Sequence, residues 1–456
     1  MYTVRKVTDD LYYVGGDDRR LALFENIFPI PEGVSYNSYL LMDEKTVLID
    51  AVDWAITREY MVNVARVLNG RDLDYLIVHH MEPDHCSSIE LMLQRYPNLK
   101  IISSEKGVMF MRQFGYHVDD RYIEVKEGDT VSFGKHEFTF VEAPMVHWPE
   151  VLMSYDSYDK VLFSADAFGS FIANNGRLFA DEVNWDRDYL DEGRRYYTNI
   201  VGKYGTFVQK ALAKAGGLDL KYICPLHGLV WRDNFGYIID KYVHWATYEP
   251  EEEGVLIVYA SMYGNTEFAA QALASKLCEK GMTNISLRDV SSTHVSTLIA
   301  ESFKYSNIVL ASVTYNLGIY PVMLNYLEDM KALNLQNRAI SIIGNGTWAP
   351  QAAEKMEKFI DEEMRLMDVL PEGLDMVSSL KKAKEPDMDA MVDGILESMK
   401  KRRKRKNSFS KQRQKINKKL KAGETSPFCI LSKNFCHRPL YEYLRSNDKI
   451  FRISNT

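Results

Sequence analysis

Short apolar runs broken by polar turns dominate the first half of the chain. Residues 35–53 (SYNSYLLMDEKTVLIDAVD) hold two β-rich runs around a polar turn at Asp43–Lys45, and residues 73–80 (LDYLIVHH) predict a third strand. Residues 87–97 (SSIELMLQRYP) have helical spacing instead. The β pattern returns in residues 131–144 (VSFGKHEFTFVEAP) and 160–169 (KVLFSADAFG). Strands mixed with occasional helices predict two packed sheets covered by helices, an αββα sandwich spanning residues 1–250.

The pattern changes after a polar, acidic stretch at residues 246–254 (ATYEPEEEG), where we predict a linker. Residues 254–260 (GVLIVYA) read as a buried strand, and residues 268–281 as a helix ending at Gly281. Further apolar strands follow at residues 307–315 and 339–346, with helical segments between them. Strands that alternate with helices predict a doubly wound parallel sheet over residues 254–399.

At Lys400 the apolar pattern stops, and residues 400–456 are expected to form a basic, disordered tail. Residues 401–456 hold 17 basic and three acidic residues, a net of +14, which leaves −21 for residues 1–400 out of a total of −7. An acidic body suits neither nucleic acid nor an anionic membrane, and we expect neither as a partner. No apolar run approaches the roughly 20 residues that span a bilayer, and the charged N-terminus is unlike a signal peptide. Cytoplasm is the expected location.

The cysteines Cys86, Cys224, Cys278, Cys429 and Cys436 are scattered, with no C-x-x-C pair. This spacing excludes a zinc ribbon and a built-in rubredoxin-type iron centre within these residues. If the protein carries out redox chemistry, the electrons must be carried by a group other than these cysteines.

A metal site is indicated directly after the residue 73–80 strand. His80, Glu82, Asp84 and His85 lie within six residues, and so many imidazoles and carboxylates are costly to bury together unless a cation neutralises them. His147, Asp166 and His227 each follow an apolar, strand-like segment; alone, each is more often an ordinary residue, but beside the cluster they become candidate ligands. The remaining histidines carry less weight: His79 is expected to pack or to support a ligand, and His117, His136, His244 and His294 to be ordinary, while Cys86 fills the turn.

These residues resemble the metallo-β-lactamase superfamily, and more closely its flavodiiron branch. The hydrolytic members carry H-x-H-x-D-H, whereas this chain has H-x-E-x-D-H. The resemblance implies that His80, Glu82 and His147 hold one metal, that Asp84, His85 and His227 hold the other, and that Asp166 bridges them. A carboxylate at Glu82 makes its site harder and more negative, which favours a redox-cycling pair of iron ions over zinc, although zinc also accepts Glu.

The second half begins with a loop suited to a single terminal phosphate. Ser261, Met262, Tyr263, Gly264, Asn265 and Thr266 join the first strand to a helix and lack the lysine of a Walker loop. The loop resembles the flavodoxin phosphate loop, although it could be an ordinary helix cap. Two more loops follow apolar strands and are expected beside the flavin ring of FMN: Thr314, Tyr315, Asn316 and Gly318, then Asn345, Gly346, Thr347 and Trp348. The last loop departs from the family's G-x-Y-G-W pattern.

The order of the two domains, together with Glu82, is the flavodiiron arrangement over about residues 1–400. The resemblance implies reduction of O2 to water or of NO to N2O, with electrons passing from an external donor, rubredoxin or another small redox protein, through FMN to two Fe. In this family a head-to-tail dimer brings one chain's flavin to the other's metals, so a homodimer or homotetramer is expected. By the same resemblance, Tyr196 or Tyr197 lines the substrate pocket, with an aromatic core role nearly as well supported.

Three alternatives stay open on the sequence. The main one is a binuclear zinc hydrolase, which metal analysis would distinguish. A nucleic-acid-processing enzyme is suggested only by the basic tail. A pure electron carrier with an inactive metal site would not need all seven candidate ligands.

Overall fold

In the computed structural model, which describes the backbone of residues 2–421 and the side chains of residues 2–404, the chain divides into one unit up to Ala246 and a second from Thr247 onward. The strands of the first unit are β1 Arg5–Lys6, β2 Leu11–Tyr13, β3 Gly16–Asp18, β4 Leu23–Phe24, β5 Phe28–Pro29, β6 Val34–Tyr36, β7 Tyr39–Met42, β8 Thr46–Ile49, β9 Tyr75–Ile77, β10 Lys100–Ser103, β11 Tyr122–Glu124, β12 Thr130–Ser132, β13 Glu137–Glu142, β14 Leu152–Asp156, β15 Val161–Phe163 and β16 Tyr222–Cys224. Its helices are α1 Thr57–Leu68, α2 Pro83–Cys86, α3 Ile89–Arg95, α4 Glu105–Gln113, α5 Trp185–Asp188, α6 Leu190–Tyr196, α7 Gly205–Ala215 and α8 Phe235–Ala246.

Two mixed sheets face each other in the first unit. One has the order β1-β2-β7-β8-β9-β10-β11, and the other the order β12-β13-β14-β15-β16. Leu41 and Ile77 of the first sheet share a buried cluster with Phe138 and Phe163 of the second, which forms the interior of the sandwich. Helices α1, α3, α4, α7 and α8 supply side chains to another buried cluster, which they share with Leu48 and Leu76 of the first sheet and Leu162 and Ile223 of the second. The predicted αββα sandwich is confirmed.

The second unit is built on a sheet with the order β18-β17-β19-β21-β22, all parallel. Its elements are the strands β17 Glu252–Ala260, β18 Ile285–Asp289, β19 Tyr305–Tyr315, β20 Gly318–Ile319, β21 Ala339–Gly346, β22 Asp368–Val369 and β23 Leu374–Val377, and the helices α9 Asn265–Glu279, α10 Val295–Lys304, α11 Pro321–Ala332, α12 Ala352–Glu363 and α13 Glu385–Lys421. Side chains of β17 alternate between the two faces, with Val255 and Ile257 against α9 and α13 and Leu256 and Val258 against α10 to α12. Burial on both faces explains the continuous apolar run and confirms the doubly wound sheet.

The structure corrects the expectation for the basic tail at its beginning. Helix α13 does not end at Lys400 but continues to Lys421, because Lys and Arg are good helix formers even where no apolar stripe remains. Arg402 donates to the carbonyl of Asn337, and Arg403 forms an ion pair with Glu253. Residues 422–456 of the expected tail lie outside the described residues. Strand β17 also begins inside the expected linker, where Glu252 pairs with Tyr305.

Among the described residues, no helix combines the length and the apolarity needed to cross a bilayer.

Candidate functional site

Four candidate ligands converge at the end of the sandwich where β9 and β15 terminate. His80 and Glu82 follow β9, His147 lies in the β13–β14 connection, and Asp166 follows β15. The Nε2 atom of His147 lies 3.0 Å from Oε2 of Glu82 and 3.3 Å from Oδ2 of Asp166. Nε2 of His80 lies 3.3 Å from both of those oxygens. The donor atoms of all four residues therefore face one point, as a shared cation requires.

A second group lies beside the first and consists of Asp84, His85 and His227. Asp84 and His85 belong to the short helix α2, and His227 follows β16. The Nε2 atoms of His85 and His227 are 3.0 Å apart, and each lies within 3.3 Å of Oδ2 of Asp84. Nδ1 of His227 donates to the carbonyl of Ser35, at 2.8 Å, which leaves the Nε2 lone pair free for a metal.

Asp166 lies between the two groups. Its Oδ2 faces His80 and His147 at 3.3 Å, while its Oδ1 faces His85 at 3.4 Å. One carboxylate thus presents an oxygen to each group, which is the geometry of a bridging ligand. The structure brings together all seven residues that the sequence singled out as metal ligands.

The donor set fits a pair of cations. Within the described residues, Asp84 and Asp166 are buried and none of their carboxylate oxygens accepts a hydrogen bond, and Nδ1 of His85 also lacks a partner. Such buried polar atoms are costly unless something compensates them. Burial alone would lower the pKa of His80, but Asp166, Glu150 and Glu82 raise it well above its usual value. Burial would raise the pKa of Asp166, but the facing imidazoles, His80 foremost, lower it. The carboxylates thus favour positive charge beside them, and bound metal ions would supply that charge in place of protons on the imidazoles.

Glu150 is a site residue that the sequence analysis missed. Its Oε1 accepts from Nδ1 of His80, at 2.8 Å, and from the backbone N–H of Met81, at 2.9 Å. This carboxylate orients the imidazole so that Nε2 points at the metal position. The one signal in the sequence is its place three residues after His147.

His79 and Cys86, which lie on either side of the metal-binding motif, have structural roles. His79 bonds Asp50 at 2.6 Å and Ser154 at 2.8 Å and so faces the sandwich interior rather than the metal position. The buried thiol of Cys86 donates to the carbonyl of Met81 at 3.3 Å, and burial raises its pKa to about 12. His79 therefore packs inside the sandwich and Cys86 fills the turn, as the sequence predicted for each.

The structure separates the two candidate tyrosines. The ring of Tyr196, at the end of α6, lies 5.4 Å from that of His227 and is buried. Tyr197 instead packs 5.0 Å from Tyr242 and 5.2 Å from Trp245 in an aromatic cluster. Tyr196 is therefore the one beside the metal ligands.

The three predicted flavin loops meet at one edge of the parallel sheet in the second unit. Ser261–Gly264 follows β17, Tyr315–Gly318 follows β19, and the Gly346–Trp348 loop follows β21, and these strands are neighbours in the order β17-β19-β21. The loops also bond to one another: the side chain of Asn345 donates to the hydroxyl of Thr266 at 3.2 Å. The hydroxyl oxygen of Thr314 also accepts from the backbone N–H groups of Gln351, at 2.9 Å, and Ala352, at 3.1 Å, and so caps α12.

The first loop has the features of a phosphate cradle. Gly264 adopts a positive φ of 85°, a conformation that costs other residues energy. It begins α9 without a side-chain cap, so that the N–H groups of the first helical turn are available to an anion. Around this edge large apolar side chains are open to solvent: Tyr263 is 90% exposed, Trp348 79% and Leu317 54%. These surfaces suit a flat aromatic ring.

Comparisons with known proteins cover the same two regions. Residues 34–228 match the family described as ODP family beta lactamase, and residues 257–365 match Flavodoxin. The chain is 31% identical over 390 residues to the anaerobic nitric oxide reductase flavorubredoxin of Klebsiella pneumoniae, a match over 84% of this chain and 78% of that protein. A protein of the same name from Salmonella arizonae is also 31% identical, over 84% of this chain and 79% of its own length.

Solved structures are similar to this chain over the same two regions. The rubredoxin oxygen:oxidoreductase from Desulfovibrio gigas superimposes with a TM-score of 0.81 at 29% identity, covering 87% of this chain and 98% of that one. The flavodiiron protein from Giardia intestinalis gives a TM-score of 0.82 at 25% identity, covering 87% and 97%. The similarity therefore extends over both units and is not a match of one domain alone.

Proposed function

Because the chain belongs to the flavodiiron protein family, whose members are oxidoreductases with FMN and two iron ions, we propose that it reduces NO to N2O, O2 to water, or both. The observation that carries the proposal is the pair of metal groups that share Asp166, with Glu82 in place of an imidazole. Two irons supply open coordination positions and paired one-electron chemistry, and FMN accepts electrons and passes them on singly. A zinc pair would lack that redox capacity.

The protein's own residues prepare the site in three ways. His80, Glu82 and His147 would hold one iron, Asp84, His85 and His227 the other, and Asp166 both. Glu150 fixes the ring of His80 through Nδ1. Tyr196 lies against His227 and lines the space where a diatomic substrate would bind; burial first, and then the charges of Asp166 and Asp84, raise the pKa of its phenol well above the usual value. Tyr196 would therefore stay protonated and could donate a hydrogen bond to the substrate.

In the second unit, the N–H groups at the start of α9 and the hydroxyls of Ser261 and Thr266 would bind the FMN phosphate. Tyr263, Trp348 and the Tyr315–Gly318 loop would contact the ring. The electrons would come from rubredoxin or another small redox protein, since the 456 residues contain no C-x-x-C pair. The reduced, buried thiols of Cys86 and Cys224 fit a reducing compartment, and we place the reaction in the cytoplasm.

We also propose that FMN of one chain serves the metals of a second copy in a head-to-tail dimer or a tetramer. Both sites expose apolar side chains that a partner would cover. The β4–β5 hairpin, whose Phe24 ring lies 5.4 Å from that of His227, exposes Ile27 at 51%. Tyr263, Leu317 and Trp348 are exposed around the flavin loops. Clusters of this kind mark interaction surfaces.

Metal and flavin analysis of the anaerobically purified protein tests the cofactor assignment that the reaction needs. About two iron ions and one FMN per chain are expected. Zinc at both positions and no flavin, together with hydrolysis of ester substrates, would instead identify a hydrolase. The Asp166→Asn variant should lose metal but keep FMN, since Asp166 belongs to the first unit.

The dimer is tested separately with Ile27→Glu. This variant should sediment as a monomer, retain iron and FMN, and lose electron transfer from reduced flavin to iron. An Ile27→Glu protein that stays dimeric with unchanged transfer would show that the hairpin is not part of the interface. Val62→Glu, at a position that is 48% exposed on α1, is the matched control.

A further inference from the structure

A third group of metal-ligating side chains lies at the opposite end of the first unit's sandwich from the other two. His136 immediately precedes β13, Asp159 follows β14, and Asp10 lies in the turn between β1 and β2. Each of these residues offers one ligand atom, and the three atoms lie within 4.8 Å of one another. The iron-binding residues His147 and Asp166 follow the other ends of β13 and β15, so that the two sites are separated by the length of the strands.

His136 has the geometry of a metal ligand. It is fully buried, and its Nδ1 lies 2.7 Å from Oδ2 of Asp156. The carboxylate fixes the proton on Nδ1, and a neutral ring then carries its lone pair on Nε2. Nε2 is buried, makes no hydrogen bond within the described residues, and lies 3.3 Å from Oδ2 of Asp10. A lone pair facing a carboxylate is repelled unless a cation lies between them.

The local charge also favours a cation. Asp10, Asp156 and Asp159 place three carboxylates around the His136 ring, and Asp43 accepts from the backbone N–H of the same residue. Lys135 compensates one of them through an ion pair with Asp10. Its side chain is 44% exposed, and its ammonium group lies over the ring of Tyr158, 4.8 Å from the centroid, so it can move aside without being buried. The carboxylates outnumber the ammonium group whether or not Lys135 stays beside Asp10, so a cation is favoured at this position.

We propose that Asp10, His136 and Asp159 bind a third metal ion per chain, a divalent ion of the zinc type, apart from the iron pair. One imidazole nitrogen and two carboxylate oxygens, with water at the fourth position, are a ligand set that zinc accepts. The ion would tie the β1–β2 turn to the start of β13 and the β14–β15 turn. Its function is structural: it joins the edges of the two sheets at the end of the sandwich away from the irons.

The test uses the iron-loaded, FMN-containing protein, dialysed anaerobically against a small excess of Zn²⁺, with iron and zinc counted per chain. Wild-type protein should keep its iron and gain about one zinc, with a higher melting temperature. Asp159→Asn and His136→Gln should keep the iron and lose both the extra zinc and the rise in melting temperature. His117→Gln is the control, because His117 is exposed and forms an ion pair with Glu90, away from Asp10 and Asp159 in the sequence.

His136 is buried, so that its variant can fail to fold. Asp159→Asn and Asp10→Asn, at partly exposed positions, then decide the question. Zinc bound in the wild type but retained by both aspartate variants would place the ion elsewhere and overturn the proposal. So would wild-type protein that keeps its iron and binds no zinc; His136 would then be held by its carboxylates as an imidazolium ion.

Discussion

Oε1 of Glu150 lies 2.8 Å from Nδ1 of His80, and the same oxygen accepts the backbone N–H of Met81 at 2.9 Å. A single buried carboxylate therefore fixes both the ring of a candidate ligand and the backbone on which it is mounted. Histidine ligands that are oriented in this way bind metal more tightly, because the ring does not have to be ordered by the metal itself.

Glu150→Gln should weaken iron binding at the His80 position by roughly 10- to 100-fold. The amide keeps the shape of the side chain but removes the charge that strengthens the donor nitrogen. Competition with a chelator under anaerobic conditions measures the affinity. Glu124→Gln, at an exposed position in the same unit, is the control. Equal affinities in the two variants would mean that Glu150 has no part in holding the metal.

Thr314 and Thr347 should respond differently to substitution by valine. Thr314 caps α12, so Thr314→Val should lower the free energy of unfolding of the FMN-free protein by about 1 kcal/mol. Thr347 is exposed at the flavin edge, and Thr347→Val should weaken FMN binding with little change in stability. Denaturant unfolding and flavin titration measure the two effects. Unchanged stability in Thr314→Val would show that its hydroxyl does not cap α12.

Trp348→Ala should weaken FMN binding by roughly 2- to 10-fold, the contribution of one stacked aromatic pair. The side chain is 79% exposed without the flavin, so its removal should not affect folding. Quenching of flavin fluorescence gives the dissociation constant. Trp54→Ala removes a 62% exposed tryptophan from the first unit and should leave FMN affinity unchanged. A loss of the same size in both variants would point to a general effect on the protein.

Metal binding should strengthen with pH. Burial alone would lower the pKa of His147, but the nearby Asp166 carboxylate, at 3.3 Å, and the hydrogen bond to Glu82 raise it to about 9 in the metal-free protein. The folded pKa lies above the unfolded value of about 6.5, so protonated His147 stabilises the metal-free fold fully below that pH, and this stabilisation is lost as pH rises through about 9. A metal must displace the proton, and its affinity should therefore rise between these pH values.

Zinc serves as the probe for this prediction, in chelator competition across the same pH range. Proton release in weakly buffered solution gives an independent count. Affinity that is flat with pH, without proton release, would mean that the ligands are already deprotonated in the metal-free protein.

The metal motif and the main strands were predictable because each depends on local sequence. The apolar run before His80 predicts a strand, and the close spacing of His80, Glu82, Asp84 and His85 predicts that their side chains share a cavity. The central residues of β17 (residues 255–258) and of β19 (residues 308–311) are apolar because both faces of the sheet are covered by helices. Such features can be recognised from the order of the residues alone.

Other features depend on contacts between distant segments and left no such trace. Glu150 reaches His80 across 70 positions in the chain, and a glutamate in a loop has no pattern of its own. The hydroxyl of Thr314 caps a helix that begins 38 residues later, a role that the sequence around Thr314 does not indicate. Helix α13 continues past Lys400 because helix propensity persists where the apolar stripe ends, which a reading based on apolar periodicity cannot detect.

The most direct test of the proposed function compares the same protein loaded with iron or with zinc. Each form, with FMN bound, is reduced by light under anaerobic conditions and mixed with NO or with O2, without excess reductant. The iron form should consume at least one of the gases, with N2O or water as the product and with oxidation of the flavin, and the zinc form should be much slower. If the iron form consumed neither gas faster than the zinc form, the metal pair would not be the site of reduction, and the proposed function would be wrong.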